Sequence, residues 1–187
     1  MRYRFLLAAA LSLVLGMPAV AQDTANPEVT IHTNHGAIRI ELYAAQAPQS
    51  VENFLQYARD GFYEGTVFHR VISHFMIQGG GMTADMEPKP TRGPIPNEAT
   101  NGLKNLRGTV AMARTNDPQS ATSQFFINVE ANPALDHTGT TDSRAWGYTV
   151  FGHVVDGMTV VDDIRFAETG PRDVPLEPII IESMEVH

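Results

Sequence analysis

The sequence predicts a mainly β protein, an antiparallel barrel or sandwich of about eight strands with helices covering its open ends. Short alternating or β-branched runs recur along the chain. Only two segments carry a helical apolar period, and they lie far apart, which argues against an alternating βαβ sheet.

The N-terminus is set aside first. Arg2 and Arg4 precede an apolar run from Phe5 to Leu15 broken only by Ser12. Gly16-Met17-Pro18 then interrupts it, and Ala19-Val20-Ala21 offers small residues for cleavage. This order is that of a secretory signal peptide, with an apolar core about half the ~20 residues that span a bilayer. Cleavage after Ala21 would leave one domain at 22–187, exported to a periplasm or to the medium. That domain carries 11 Lys and Arg against 21 Asp and Glu, a formal charge of −10. Such acidity suits a soluble monomer and argues against nucleic acid or an anionic membrane as partner. The chain has no cysteine, which excludes disulfides, thiol catalysis and zinc–thiolate sites.

Val29–Thr33 and Ala37–Leu42 alternate across Asn34-His35-Gly36, the pattern of a β-hairpin. The clearest helix follows at Pro48–Asp60, with Val51, Phe54, Leu55 and Ala58 on one face and Gly61 as C-terminal cap. Thr66–Ile72 and Phe75–Gln78 read as strands ending at three glycines. From Met82 to Leu106, four prolines and little periodicity indicate a long surface loop. Thr109–Ala113, Gln124–Val129 and Thr149–Val155 are further strands. Met158, Val161 and Ile164 mark a shorter helix, and Pro178–Val186 a last strand.

Most catalytic templates are absent: no G-x-S-x-G, no Walker loop, no G-x-G-x-x-G after a strand and no H-E-x-x-H. His69 and His74 are five apart on extended chain and do not share a helical face as metal ligands; His32 and His35 flank a turn. Asp142-Ser143-Arg144 near His137 reads as loop. What remains is Arg70, a cation inside the apolar run Phe68-His69-Arg70-Val71-Ile72, costly there unless it faces solvent or a partner. By itself that pattern is more commonly that of a structural arginine than of a functional one.

That run, with Phe75-Met76-Ile77-Gln78-Gly79-Gly80 and Ser123-Gln124-Phe125-Phe126-Ile127, resembles the three signature blocks of the cyclophilin family. Asn97-Glu98, Gly108–Ala113 and Val150-Phe151-Gly152 match further landmarks in the same order, so the similarity spans Val29–Val186. The resemblance implies a closed eight-stranded antiparallel β-barrel capped by two α-helices, and peptidyl-prolyl cis/trans isomerase activity without metal or cofactor. It implies that Arg70 is the catalytic residue and that Phe75, Met76, Phe126 and Leu135 wall a proline pocket. Gln78 would stand beside the arginine. The Ala113 backbone and Gln124 would contact the peptide, and Tyr148 would close the pocket as an aromatic wall.

These residue types suit the reaction. Rotation about an Xaa-Pro bond breaks amide resonance against a barrier of ~18–20 kcal/mol, and the prolyl nitrogen regains a lone pair in the twisted state. A guanidinium that never loses its charge can donate to that nitrogen while an apolar slot holds the ring. Expected substrates are proline-containing segments of exported polypeptides; a binding or holdase module with incidental turnover is the alternative. Three positions depart from the family's best-known members: Arg114 stands for Asn, Ala134 for the Trp of Trp-Leu-Asp, and Tyr148 for His. Loss of the indole implies weak binding of cyclosporin-like cyclic peptides. The combination is similar to bacterial, often periplasmic, cyclophilins, and the loop Asp136–Tyr148 reads as enlarged.

Overall fold

A computed structural model describes residues 26–187; the expected signal peptide at 1–21 lies outside them. The hairpin forms as its alternation dictates. Strands β1 (Glu28–Thr33) and β2 (Gly36–Leu42) pair antiparallel with Ile31 opposite Ile38 and Val29 opposite Ile40. All four of these side chains are fully buried. Gly36 closes the two-residue turn at φ +129, and a Cβ there would come within 2.9 Å of Val160 Cγ2.

Helix α1 (Pro48–Arg59) buries Val51, Phe54, Leu55 and Ala58, as its period predicts. Its N-terminus has no local side-chain cap. Instead the Glu98 carboxylate accepts from the Gln49 and Ser50 backbone N–H groups at 3.1 and 2.8 Å, and from Ser50 Oγ at 2.7 Å. An anion is well placed there, against the helix dipole and two orphan donors. The chain then runs through β3 (Arg70–Ile72), β4 (Met76–Gly79), β5 (Thr109–Met112) and β6 (Phe125–Asn128). A single helical turn α2 (Ser143–Trp146), β7 (Val150–Asp156), α3 (Met158–Arg165) and β8 (Ile181–Val186) complete it.

The eight strands make one antiparallel sheet in the order β3-β4-β6-β5-β7-β2-β1-β8. The sheet curls strongly around its concave face, where Phe54, Tyr63, Phe68, Phe125 and Phe151 pack with the aliphatic residues of β1 and β2. The expected closed barrel is met in part. The outermost strands β3 and β8 do not pair along their lengths. Contact between the edges comes from the segment before β3 meeting Ile179 and the first residue of β8, with Phe68 N–H donating to Ile179 O, Gly65 N–H to Ile181 O and Ile181 N–H to Thr66 O.

Two further expectations are corrected. The run Thr66–Ile72 is regular strand only from Arg70, because Thr66 and Val67 turn away to these edge contacts. Three α-helices form where two were expected: the 142–146 stretch read as loop winds into α2, because Asp142 Oδ1 accepts from the Arg144 and Ala145 N–H groups, each at 2.9 Å.

Candidate active site

The outer face of the curled sheet carries a second, smaller apolar cluster of Met76, Ala111, Ala113, Phe126 and Val150. Strand alternation and register explain it together. Val71, Ile77, Ile127 and Val110 point inward, so their neighbours point outward. The pairings Arg70–Gln78, Gln78–Phe126 and Phe126–Ala111 follow one another across β3, β4, β6 and β5, and Ala111 pairs on to Val150 in β7. Five residues from five strands thus form one rung, with adjacent Cβ atoms ~4.5–5.5 Å apart. A cation at one end stands in line with an aromatic floor.

Above this rung is a pocket of about 110 Å³ lined by Arg70, Phe75, Met76, Gln78, Ala113, Arg114, Phe126, Leu135 and Tyr148. Eight of the nine site residues expected from the sequence meet here. The ninth, Gln124, stands just behind: its Oε1 accepts from Gln78 Nε2 at 2.9 Å. Gly81 makes that approach possible, since a Cβ at 81 would lie 2.4 Å from Gln124 Cγ. The Ala113 N–H is committed to the Gln124 carbonyl, so a peptide would use the Ala113 carbonyl.

The pocket wall formed by Leu135 comes from a 3-10 turn, Pro133–Leu135, moored from beneath. Asn132 Nδ2 donates to Phe75 O and Asn128 Oδ1 at 2.8 and 2.7 Å, and Asn105 Nδ2 donates to Leu135 O at 3.1 Å. Buried Asn128 in turn donates to Asn105 Oδ1 and Thr109 Oγ1. These amides are satisfied by one another, which makes the network stiff. Tyr148 packs edge-on to Phe126 with ring centres 5.7 Å apart. The Arg114 guanidinium lies over the other side of the site, 4.4 Å from the Tyr148 ring centre.

Sequence reasoning missed Asp173. Its Oδ2 accepts from Arg70 Nε at 3.3 Å, and the terminal nitrogens of Arg70 have no acceptor among the described residues. Both side chains are nearly half exposed, at 43% and 46%. Asp173 follows Arg172 in left-handed backbone, at φ +61 and +63, an uncommon pair for non-glycine residues. Arg114 was noted for its departure from the family but not as a pocket residue. Neither could be found from local pattern, since Asp173 lies 103 residues from its partner.

His69 does not line the pocket with Arg70; it is buried and lines a separate small hollow with Ala84 and Pro175. Burial pushes its imidazole below the usual range against a Val67 backbone hydrogen bond that raises it, and the Arg70 charge lowers it further. His74 meets Glu130 at 2.9 Å on the surface. No group of three or more His, Asp or Glu that could hold a metal occurs among the described residues, and no helix there is long and apolar enough to cross a membrane.

Residues 28–186 match the family model for cyclophilin type peptidyl-prolyl cis-trans isomerases. The chain is 57% identical over 162 residues to peptidyl-prolyl cis-trans isomerase B of Escherichia coli (strain K12), covering 84% of this chain and 98% of that protein. Peptidyl-prolyl cis-trans isomerase A of Dickeya dadantii is 51% identical over 180 residues, covering 94% and 92%. Among solved structures, a cyclophilin type isomerase of Cryptosporidium parvum superposes with a TM-score of 0.73 at 28% identity, covering 87% of this chain and 98% of that one. A pocket sized for a small ring, an arginine at its edge and these relatives agree: the chain belongs to the cyclophilin family and is a peptidyl-prolyl cis-trans isomerase acting on proline-containing peptides.

Proposed function

We propose that this isomerase works on Xaa-Pro bonds of exported polypeptides, with Arg70 stabilising the twisted amide while the proline ring sits on Met76 and Phe126. The observation that carries the reading is the rung Arg70–Gln78–Phe126–Ala111, which sets a guanidinium beside an apolar slot. Asp173 holds Nε, so the terminal N–H groups of Arg70 remain for the substrate. As the amide twists, the prolyl nitrogen becomes a better acceptor and the guanidinium donates to it, an interaction stronger in the transition state than in the ground state. Gln78 and Gln124 steady the approach of the peptide, and the Ala113 carbonyl binds its backbone. Phe75, Leu135 and Tyr148 exclude water, which strengthens the arginine contact.

One charged hydrogen bond supplies ~1.5–3 kcal/mol, whereas a millionfold acceleration needs ~8 kcal/mol. Fixed orientation of the ring on the floor supplies the difference in this reading. A Cryptosporidium parvum cyclophilin studied in the presence of the dipeptide Ala-Pro shares this fold at 29% identity and a TM-score of 0.72, covering 86% of this chain and 98% of its own, which supports the ligand class. Export rests on the order of parts in residues 1–21, and the −10 charge favours a soluble monomer.

The test expresses the full chain with its leader in a Gram-negative host. The expected product is periplasmic, begins at Gln22, and accelerates the slow proline-limited refolding of an exported protein; the Arg70→Ala protein does not. An unprocessed cytoplasmic product would overturn export, and equal acceleration by both proteins would overturn the role of Arg70.

A further inference from the structure

Beside the proline slot lies a wider, open hollow of about 680 Å³. It shares Arg114, Leu135 and Tyr148 with the slot and adds Ala134, Asp142 and Arg144 from the 133–146 segment. Its charge stands out: six arginines each have a carboxylate within 4.0 Å, and of the three among the described residues that have none, Arg114, Arg144 and Arg172, two line this hollow.

Arg114 is nevertheless fixed. Its Nε donates to Gly147 O at 3.0 Å, one terminal nitrogen to Thr115 O and Ser143 Oγ at 2.9 and 3.1 Å, and the other to Ser143 O at 2.6 Å. Four of a guanidinium's five N–H donors are thus engaged, all with neutral oxygens. The charge is held in place, uncompensated, with one donor left. Arg144 is exposed, and its guanidinium has no hydrogen-bond partner among the described residues. Asp142 is the carboxylate on this rim, and its Oδ1 is occupied by the N–H groups of Arg144 and Ala145.

We propose that this hollow is a substrate subsite for an acidic side chain, Asp or Glu, within one or two residues of the proline. The inference deepens the isomerase reading and rests on it. A peptide whose proline fills the slot must pass Leu135 and Tyr148, and each extended residue spans ~3.3–3.6 Å, so a flanking side chain reaches the shared wall. The opening left by Ala134, where a bulky residue would otherwise stand, gives that side chain room. The net charge of the whole chain repels acidic peptides at long range, so this local attraction sorts substrates by which residue flanks the proline.

The test uses peptides with one proline core and Gln, Glu or Lys placed immediately before or after it, assayed by NMR exchange. On one side of the proline, the Glu peptide is expected to exceed the Gln peptide in kcat/KM by about threefold to fivefold, the upper range for exposed ion pairs, with Lys below Gln. Arg144→Glu is expected to reverse that order without changing turnover of the Gln peptide. Asp142→Asn, which keeps the cap, widens the preference, and high salt erases it. No turnover of the Gln peptides would defeat the isomerase reading itself. Normal turnover of Gln peptides with equal rates for Glu and Lys on both sides, or a Glu preference that survives Arg144→Glu and Arg114→Gln, would defeat the subsite alone.

Discussion

The floor of the pocket and its rim are built in different ways. The floor is sheet: Arg70, Gln78, Phe126 and Ala111 take their directions from alternation and their order from ladder pairing. The rim, with Leu135, Tyr148, Arg114 and Asp173, comes mostly from turns and is held by side chains that reach backbone: Asn132 to Phe75 O, Asn105 to Leu135 O, Arg114 to Gly147 O. The three departures from the family pattern, Arg114, Ala134 and Tyr148, all sit on the rim. A floor fixed by backbone pairing tolerates little change, whereas a rim fixed by individual hydrogen bonds can be retuned one residue at a time. On the proposed reading, chemistry belongs to the floor and substrate choice to the rim.

The largest effect is expected from breaking the floor. Phe126 is 3% exposed, and Phe126→Ala should cost about 3–5 kcal/mol and lower the melting temperature by roughly 10 °C. Turnover should fall at least tenfold with it, read by calorimetry and by exchange rate on the same sample. A folded variant with unchanged turnover would show that the ring does not rest there.

Next comes the mooring of the rim. Asn132→Ala removes the donor shared by Asn128 Oδ1 and Phe75 O, of which Phe75 O keeps the Val129 N–H, and should cost ~1–3 kcal/mol. Its kinetic signature should be a several-fold rise in KM with kcat nearly kept, because Leu135 loosens while Arg70 stays. A fall in kcat alone would contradict the division between floor and rim.

Asp173→Asn sharpens the contrast, since Asn accepts left-handed backbone and keeps the shape while removing the charge. The Arg70–Asp173 pair is too exposed to matter for stability, so the melting temperature should not move. If Asp173 positions Arg70, kcat falls several-fold at constant KM; unchanged kcat would reduce the pair to a surface contact. Smallest of all, Ala134→Trp should leave turnover of short peptides nearly as it was while strengthening binding of a cyclosporin-type cyclic peptide, measured by calorimetric titration. No gain in binding would mean that the indole is not what this rim lacks.

Much of the fold was legible. The hairpin at 28–42, the face of α1 and all eight strands follow from periods that Val29, Ile31, Phe54 and Ile77 display locally. Strand order was not legible, because β4 pairs with β6 before β5, and nothing local in Ile77 or Ile127 says so. The cap on α1 was hidden for the same reason: Glu98 lies 48 residues from Ser50. At the site, motif resemblance brought out Arg70 and the slot residues, while Asp173 and the second role of Arg114 depend on tertiary approach. The α2 turn is a different case, since Asp142 is a good N-cap residue and a one-turn helix is too short for a period to show.

The most direct test separates binding from rotation at Arg70. NMR lineshape analysis of an Ala-Ala-Pro-Phe-type peptide yields both the affinity and the on-enzyme cis/trans exchange rate, for the wild-type protein and for Arg70→Ala and Arg70→Lys. If Arg70 acts on the twisted amide, Arg70→Ala slows exchange by about a hundredfold, the loss typical of one donor to developing charge, with affinity changed by less than about threefold. Arg70→Lys should recover little, since an ammonium lacks the planar fork. Undiminished exchange in Arg70→Ala, or a loss confined to affinity, would contradict the claim that the guanidinium is the catalytic group.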